Sequence, residues 1–334
     1  MSHYRHLTIE EREKLYLLFN QGVSIRKIAA ALNRSPSTIS RELERNTLFW
    51  QPYSPSVAQI RYKNRRKRCG KKRILANAEI KEKVRTLIQD RRWSPEQVEF
   101  RLKLENSPIH ISYATIYRAI SSGIFDIKKK YLKKNERFSF YLRRKGKKRR
   151  KNGAEHRQGK YAIPFTISQR PKEAEDRSVL GYWEADTVAG TKGSASVLTL
   201  TERKSRFLLA CKIDQHTADV VSNAIICLLD GIAAENIKGI TPDRGSEFAM
   251  HEEVTKTIHN VPFYFADPYS PWQRGTNENT NGLLRECIPK GKDIAPVDPE
   301  VITAFVNCLN HRPRKCLGWR SPFEVFFDKV LHLT

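Results

Sequence analysis

Three acidic residues, Asp186, Asp243 and Glu278, occupy sequence positions where a carboxylate is hard to explain by structure alone. Asp186 lies in an aromatic and β-branched run that predicts a strand, and a carboxylate inside a strand is costly unless something pairs with it. Asp243 ends a second short strand at a glycine turn, and Glu278 falls in the first turn of a helix that Thr276 can cap. Three carboxylates at the ends of separate elements form a hard-oxygen site of the kind that Mg²⁺ or Mn²⁺ prefers. Two such ions, roughly 3.5 to 4 Å apart, can activate an attacking oxygen and stabilise the leaving one in phosphoryl transfer.

Each of these acids also has an ordinary structural explanation. An aspartate such as Asp243 is common in turns, an acid such as Glu278 is favoured at a helix start by the helix dipole, and Asp186 could belong to a sheet edge. Glu184 shares a face with Asp186 by the two-residue period of a strand, and it could support Asp186 or form a plain salt bridge. The presence of all three acids in one α/β unit favours the metal-dependent site.

The residues around these acids resemble three blocks of the insertion-sequence-30 family of bacterial transposases, which are DDE enzymes with a ribonuclease-H-like catalytic fold. The blocks are Trp183-Glu-Ala-Asp-Thr-Val188, Asp243-Arg-Gly-Ser-Glu-Phe-Ala249 and Ala266-Asp-Pro-Tyr-Ser-Pro-Trp-Gln-Arg-Gly-Thr-Asn-Glu-Asn-Thr-Asn-Gly-Leu-Leu-Arg285. The third block is long and specific, whereas Asp-x-Gly alone is a weak signal. The resemblance implies that Asp186, Asp243 and Glu278 are a catalytic triad that binds Mg²⁺ or Mn²⁺, with two ions expected. Arg244 stands where the family usually has asparagine.

The elements that must position these acids follow the order of an α/β unit. The pattern predicts strands over 196–201, 207–213, 239–242 and 261–265 besides the Asp186 strand, and helices over 218–229, 251–258 and 299–310. The pattern supports an α/β unit with Asp186 and Asp243 on neighbouring strands, and the resemblance implies the ribonuclease-H-like strand order. The fold class expected for the whole chain is therefore multi-domain, with all-α helix-turn-helix modules followed by an α/β catalytic domain.

The amino-terminal region has the pattern of a helix-turn-helix module. A capping box at Thr8–Glu11 starts one helix, and Ser35 with Pro36 starts the third, whose exposed face carries Ser37, Thr38, Ser40 and Arg41. Hydroxyl side chains and an arginine suit base edges and phosphates in a major groove. The alternative is a small helical packing module with a polar face. The resemblance implies that such a module recognises the terminal repeats of the transposon.

A second helical unit follows over residues 77–127. Ser94 and Ser112 are predicted helix caps, and the Thr115-Ile-Tyr117 core echoes Thr38-Ile-Ser40 of the first module. We therefore interpret this unit as a second helix-turn-helix with Thr115, Tyr117 and Arg118 as candidate DNA contacts. Tyr113 or Tyr117 could instead be core aromatic residues.

The positive charge is concentrated in the first half of the chain. The formal net charge is +25, and residues 1–160 hold 41 of the 61 lysines and arginines but 14 of the 36 acidic residues. This distribution is an electrostatic footprint for double-stranded DNA. Two dense basic segments, 61–73 and 128–160, could track phosphates or could be solvated or disordered linkers. The predicted domains are a first helix-turn-helix (1–50), a basic linker (51–76), a second helix-turn-helix (77–127), a basic arm (128–176) and the catalytic domain (177–334).

The remaining composition bears on location and assembly. The six cysteines form no Cys-x-x-Cys pair, so we expect buried free thiols and no zinc site. No run of 18 apolar residues and no signal sequence is found, which predicts a soluble, cytoplasmic, nucleoid-associated protein without a membrane partner. In the tail, Arg312, Arg314 and Lys315 could touch DNA, while Leu317, Trp319 and Phe323 could dock the tail on the domain. A homo-oligomer, at least a dimer, is expected because two transposon ends must be brought together.

These observations predict a DNA transposase that binds the terminal inverted repeats of its insertion sequence and performs metal-dependent strand cleavage and strand transfer. A tyrosine or serine recombinase would need a nucleophile with an arginine and histidine constellation, and none competes with the acidic set. Two rival hypotheses remain. One is a DNA-binding regulator with an inactive catalytic domain, and the other is a nuclease that cuts without sequence preference.

Overall fold

A computed structural model of the chain describes residues 5–47, 52–69, 74–126, 133, 136–142, 163–191, 195–268 and 270–334. These residues fall into two compact units, Met1–Ala76 and Asn77–Thr334. The described helices are α1 (Ile9–Asn20), α2 (Ile25–Ala31), α3 (Pro36–Asn46), α4 (Pro55–Arg68), α5 (Ala78–Gln89), α6 (Pro95–Leu104), α7 (Tyr113–Ser121), α8 (Lys172–Glu175), α9 (Ala218–Asp230), α10 (His251–Thr257), α11 (Gly275–Leu284), α12 (Pro299–Asn310) and α13 (Pro322–Phe326). The described strands are β1 (Phe165–Thr166), β2 (Tyr182–Ala189), β3 (Ser196–Glu202), β4 (Leu208–Ile213), β5 (Gly239–Thr241) and β6 (Tyr264–Phe265).

The first unit is built on the predicted helix-turn-helix. The capping box of α1 is present, because Thr8 Oγ1 accepts from the Glu11 N–H at 3.2 Å and a Glu11 carboxylate oxygen accepts from the Thr8 N–H at 2.8 Å. Ser35 caps α3 and Pro36 is its first residue, as the sequence predicts. The core of the unit consists of buried apolar side chains from α1, α2, α3 and α4, among them Leu15, Ile28, Ala29, Leu32, Ile39, Leu43 and Ala58.

The segment 51–76, predicted as a basic linker, differs in the structure. Its residues 55–68 form helix α4, which packs on α1 and α3. The contact has a polar part, since buried Arg12 donates to Glu42 at 2.7 Å and to Gln59 of α4 at 2.5 Å. The helix was not predicted because the segment is dense in positive charge and has few apolar residues to anchor it. Among the apolar residues of α4, Ala58 is fully buried. Residues 70–73, the end of the basic run, lie outside the described residues.

The predicted second helical module is formed by α5, α6 and α7 at the start of the second unit. Ser94 starts α6 with a capping box, and Ser112 caps α7 by accepting from the Thr115 N–H at 3.3 Å. Tyr113 and Tyr117 lie edge-to-face and are about two-fifths exposed, so neither is a core aromatic.

The α/β part of the second unit contains a four-stranded sheet in the order β4-β3-β2-β5. β2, β3 and β4 form an antiparallel meander, and β5 pairs with β2 in parallel. The ribonuclease-H-like order expected from the resemblance is thus present. β6 joins the edge through a parallel bridge between Ile240 and Phe263 and pairs with β1, a short strand at 165–166 that the sequence did not predict.

The sheet is covered by helices on both faces. Successive side chains of β2 and β3 point to opposite faces, so the position of a residue along the strand decides which helices it contacts. Trp183 and Ala185 of β2 pack with α9 and α10, whereas Val188 packs with α11 and α12 on the opposite face. Glu184 and Asp186 follow the two-residue period and lie on the α11 face. The acids therefore share the face that also receives the helix of the third sequence block.

Residues 128–176, predicted as a basic arm, are described only in part. Its basic runs at 128–130 and 143–151 lie outside the described residues. The end of the segment belongs to the α/β part, because α8 buries Ala174 and the buried Arg170 side chain forms an ion pair with Glu175.

The second helical module is joined to the carboxyl-terminal tail by a buried ion-pair network. Arg101 of α6 donates to both carboxylate oxygens of Glu324 in α13, at 2.6 and 2.7 Å, and to Glu105 at 2.5 Å. It also donates to the backbone carbonyl of Leu331 at 2.6 Å. Arg101 and Glu324 are 1 and 3 percent exposed, so the pair is desolvated and depends on its complete set of partners.

Further contacts extend this junction. Trp319 stacks on Phe100 of α6 with ring centroids 4.5 Å apart, so it docks on the second helical module and not on the catalytic domain as predicted. Gln97 donates to the Pro313 carbonyl at 2.6 Å. The structure thus packs 77–126 against the tail of the α/β part, a contact that the sequence did not indicate.

Two predictions from composition have clear outcomes. The six cysteines are free, as expected, but none is buried, since Cys69, Cys227 and Cys316 are exposed and the other three are partly exposed. Cys227 lies on the outer side of α9, whose apolar pattern suggested burial. None of the helices in the described part of the chain has the length and apolar character needed to span a bilayer.

The Arg101–Glu324 pair predicts a pH-dependent stability. Burial would raise the pKa of Glu324, but hydrogen bonds from Arg101 and from the Ser321 and Leu331 N–H groups lower it to about 2. A carboxyl whose pKa is lower in the folded state stabilises the fold above its unfolded pKa, so this contribution falls as the pH drops from 4.5 towards 2. Glu324→Gln should lower the free energy of unfolding at neutral pH by about 3 kcal/mol, because Arg101 loses its charged partner.

Chemical denaturation across this pH range measures the effect. The matched control is Glu82→Gln, which removes an exposed ion pair with Arg85 and should change stability by less than about 1 kcal/mol. Equal losses in both variants would show that the buried network does not stabilise the junction.

Candidate active site

Asp186 and Asp243 lie side by side where the short strand β5 ends next to the middle of its parallel neighbour β2. In the register of β2 and β5, Glu184 pairs with Thr241, and the two aspartates each follow two residues later, Asp186 within β2 and Asp243 just beyond the end of β5. The sequence prediction that these two acids lie on neighbouring strands is therefore met. This is the edge where parallel strands present ligand-binding groups.

The guanidinium of Arg274 bridges the two aspartates. Its Nη1 lies 3.5 Å from Asp186 Oδ1 and its Nη2 lies 3.0 Å from Asp243 Oδ2, and Nη1 also donates to the Ala185 carbonyl at 3.3 Å. Arg274 is 17 percent exposed, so its charge is only partly screened by solvent. Arg274 belongs to the third sequence block, but its residue type and position there do not predict this role. Its place between two acids far apart in sequence follows only from the folded chain.

Asp186 is the most perturbed acid of the site. Burial raises its pKa to about 6, the Arg274 charge opposes this increase, and the neighbouring charge of Asp243 adds to it. Its carboxylate also accepts from the Asn281 side chain at 2.8 Å and from the Thr187 N–H at 2.9 Å. The site therefore holds a carboxylate that gains from any additional cation.

Glu278 lies in the first turn of α11, as predicted, but it does not join the aspartates. Its side chain is exposed, whereas Asn281, one turn later on the same face, reaches Asp186. Within the described residues, no three His, Cys, Asp and Glu side chains are grouped closely enough to hold a metal ion. The structure thus brings together two of the three predicted metal ligands.

The start of α11 corrects one expectation from the sequence. Thr276 is not the cap, because the helix already begins at Gly275 and Thr276 is buried in its first turn, where its hydroxyl accepts from Arg206 at 2.6 Å. The helix is instead held by Glu184, whose carboxylate accepts from the Asn277 N–H at 2.8 Å and from Arg203 at 2.5 Å. Glu184 is fully buried, so its predicted salt bridge exists and also positions the helix that carries Glu278.

Arg244 does not oppose the acids of the site. Its Nε donates to the Ala266 carbonyl at 3.0 Å, and its Nη2 pairs with Asp267 at 3.1 Å. The Asp243 carboxylate is held by the Gly245 N–H at 2.9 Å and by Arg274. The arginine that replaces the usual asparagine is thus engaged with another acid.

Glu247 is a fourth acid near the site, in addition to the three that the sequence predicts. Its charge contributes to the raised pKa of Asp186, and its Oε1 accepts from the Thr187 hydroxyl at 3.3 Å. His216 lies 2.8 Å from that hydroxyl and 3.6 Å from the Glu247 carboxylate. The signal was present, since Glu247 follows Asp243 by four residues inside the second block.

The residues present fit a divalent cation at the aspartate pair. Two hard carboxylates converge on one cationic group, and the burial of Asp186 disfavours leaving their charges uncompensated. Asp186 and Asp243 are the side chains that could hold such an ion. Glu278 would complete the set only by approaching them.

The predicted DNA contacts lie on helix surfaces in both modules. On α3, Ser37, Ser40 and Arg41 are exposed and Thr38 is half-buried, with its hydroxyl 2.8 Å from Ser35 Oγ.

On α7, Tyr117 and Arg118 are exposed, while Thr115 is half-buried and accepts from Arg118 at 3.2 Å. These positions leave the side chains accessible from solvent, and their contact with DNA stays a prediction.

The basic residues of the tail differ in accessibility. Arg312 is buried and pairs with Glu286 at 3.1 Å and with Gln97 at 3.2 Å, so it is a structural residue in this conformation. Arg314 is half-buried and donates to the Leu309 carbonyl, and Lys315 is exposed. Of the three suggested DNA contacts in the tail, Lys315 alone is exposed.

Comparisons with known proteins agree with this organisation. Residues 3–46 match the model of a helix-turn-helix domain family. The chain is 34 percent identical to the transposase for insertion sequence element IS1086 of Cupriavidus metallidurans, over 99 percent of this chain and 97 percent of that protein. It is 35 percent identical to the transposase InsI for IS30A of Escherichia coli, over 96 and 83 percent of the two chains. A transposase for IS4351 of Bacteroides fragilis shares 34 percent identity over 96 and 95 percent.

Among solved structures, the chain is similar to the catalytic core domain of BIV integrase. The TM-score is 0.37 at 20 percent identity, over 45 percent of this chain and 95 percent of that one.

The Arg274 bridge predicts that this arginine competes with metal ions. Arg274→Gln should bind Mn²⁺ roughly tenfold more tightly at pH 8 than the unchanged chain, because the guanidinium no longer neutralises Asp186 and Asp243. Mn²⁺ electron paramagnetic resonance titration without DNA measures this affinity directly.

Arg244→Gln is the matched control, since it removes an arginine that pairs with Asp267 instead. Its Mn²⁺ affinity should stay unchanged. Equal affinity in all three proteins would mean that Arg274 does not occupy the cation position.

Proposed function

Since this chain belongs to the insertion-sequence-30 family of transposases, we propose that it cuts the ends of its own insertion sequence and joins them to target DNA through Asp186, Asp243 and Glu278. The observation that carries this proposal is the approach of Asp186, inside β2, to Asp243, just after the parallel strand β5, around a single cationic group. The face of α11 that contacts Asp186 through Asn281 also carries Glu278, which supports its place as the third member.

The chemistry proposed is direct attack by an oxygen nucleophile on a phosphodiester. One or two Mg²⁺ or Mn²⁺ ions at this site would lower the pKa of the attacking oxygen and stabilise the leaving one. The chain itself contributes the two fixed aspartates, the glutamate on α11 and the Asn281 amide that orients Asp186. Water attacks first and frees a 3′-hydroxyl, which then attacks the target strand, so no covalent protein intermediate forms.

Recognition of the ends is assigned to the two helix-turn-helix modules. Their exposed helices α3 and α7 carry the hydroxyl and arginine side chains that suit base edges and phosphates. The excess of positive charge in residues 1–160 supports phosphate binding along the same duplex. Two ends must meet for transposition, so the active complex is proposed to be a homo-oligomer, at least a dimer.

Loss of a proposed metal ligand should prevent DNA cleavage and leave DNA binding intact. Asp243→Asn and Glu278→Gln should each reduce metal-dependent nicking at the element boundary by more than about a hundredfold, because the metal site loses a charged ligand. Binding of the ends should remain within about twofold. Labelled DNA carrying the ends of the element, incubated with Mg²⁺, Mn²⁺ or chelator, measures cleaved and joined strands on denaturing gels.

Glu252→Gln, on the exposed surface of α10, is the control and should cleave normally. Continued nicking by both Asp243→Asn and Glu278→Gln would reject the proposed triad. Tight end binding without cleavage by the unchanged chain under either metal would favour a DNA-binding regulator.

Sequence recognition should depend on the exposed face of α3. Arg41→Ala should weaken binding to the element end by about 1 to 3 kcal/mol and affect binding to random DNA much less. Competition assays at a stated salt concentration measure the ratio of affinities for the element end and for random DNA. The salt concentration must be fixed because phosphate contacts weaken as salt increases.

Arg26→Ala removes an equal charge from the exposed surface of α2 and serves as the control. It should lower both affinities by similar factors. A similar loss on specific and random DNA in Arg41→Ala would mean that Arg41 contacts phosphate only.

A further inference from the structure

Trp272 is a large aromatic side chain left open to solvent in the same sequence block as Arg274 and Glu278. Its exposed fraction is 72 percent, whereas Trp93 and Trp183 are buried and Trp319 stacks on Phe100. An indole combines a large apolar ring with a polar N–H, and such side chains are enriched where proteins bind partners.

The turn that carries Trp272 is held in place from both sides. Trp272 belongs to the short 3₁₀ helix Pro271–Arg274. The next residue, Gln273, exchanges two hydrogen bonds with Asp267, at 2.7 and 3.0 Å, and its carbonyl accepts from Arg203 at 3.4 Å. The indole is therefore presented by an anchored backbone.

The same short turn carries both Trp272 and the arginine that bridges the two aspartates. Arg274 touches both aspartates, and it follows Trp272 by two residues. Two residues of backbone span at most roughly 7 Å, so the backbone of Trp272 lies within that distance of the backbone of Arg274.

The residues next to Trp272 in the chain fit a site for a nucleic-acid base better than the core of a protein interface. The described side chains nearest to it in the chain, those of Ser270, Gln273 and Arg274, are polar or positively charged. The core of a protein interface is typically a contiguous apolar patch with few charges, whereas base binding combines single aromatic platforms with cationic groups that follow the backbone.

We propose that Trp272 stacks on a base adjacent to the scissile phosphodiester at the transposon end and holds that strand over Asp186 and Asp243. The inference rests on the proposed function and adds a substrate-binding residue to it. Stacking on a ring face requires a base that is exposed from the duplex, so the end is expected to be locally unpaired when bound. The platform tolerates any base, since every base has a π-face.

The test uses element-end DNA with 2-aminopurine placed in turn at each position flanking the cleavage site, with chelator present so that no strand is cut. The unchanged chain should alter the fluorescence of 2-aminopurine at one or two positions. Trp272→Phe should retain this signal, and Trp272→Leu, which keeps an apolar side chain without an aromatic face, should lose it.

Cleavage with Mg²⁺ should be roughly tenfold slower in Trp272→Leu and close to normal in Trp272→Phe. Thermal unfolding should be the same in all three proteins, because the side chain is exposed.

The outcomes separate this inference from the proposed function. If the unchanged chain binds and cuts its ends while Trp272→Leu keeps both the fluorescence signal and the cleavage rate, base stacking is refuted and the transposase function stands. If Trp272→Leu shifts the oligomeric state in analytical ultracentrifugation and leaves the fluorescence signal intact, the indole contacts a second copy of the chain and the inference is overturned. If the unchanged chain neither binds nor cuts the ends, the proposed function itself fails.

Discussion

The buried ion pair between Glu184 and Arg203 is the interaction on which the α/β part depends. Glu184 lies on β2 with no exposed surface, so its charge must be compensated inside the protein. Arg203 supplies the opposite charge, and the Asn277 N–H supplies a further donor from the first turn of α11. Strand, turn and helix are thereby fixed to one another. The helix of the third sequence block cannot leave the sheet without exposing this pair.

The same logic explains the aspartates two residues further along. Asp186 and Asp243 approach each other because their strands are parallel neighbours in register, and Arg274 offsets the repulsion between them. Two carboxylates this close repel each other, so a positive charge between them stabilises the pair. Arg274 supplies this positive charge. Trp272, two residues earlier in the same short 3₁₀ helix, carries the exposed indole.

Much of the fold could be predicted from local patterns. The meander, the helix at 299–310 and the capped helices of both modules follow from periodicity, caps and turns, which depend on near neighbours in sequence. The two aspartates could also be predicted, because strand ends converge in an α/β unit. The short strand β1 could not be predicted, since two residues carry no period.

The remaining features depend on pairings between distant residues. Arg274 and Asn281 reach the acids from the 3₁₀ turn and from α11, and nothing in their local sequence distinguishes them from surface polar residues. Helix α4 was missed because its dense positive charge suggested a solvated linker while its packing rests on few buried groups. For Glu278 the position in the helix could be predicted from sequence. Its distance from the aspartates could not, because that distance depends on how the helix is oriented.

The contact between Arg101 and the tail has a consequence for synthesis on the ribosome. Arg101 and Glu324 are 223 residues apart in the chain, so α6 is made long before its buried partner exists. At about 5 to 20 residues per second, the delay is roughly 10 to 45 seconds. The first unit has its core contacts within residues 7–58 and needs no such partner. A nascent chain can therefore complete its first helix-turn-helix while the second unit is still unfinished.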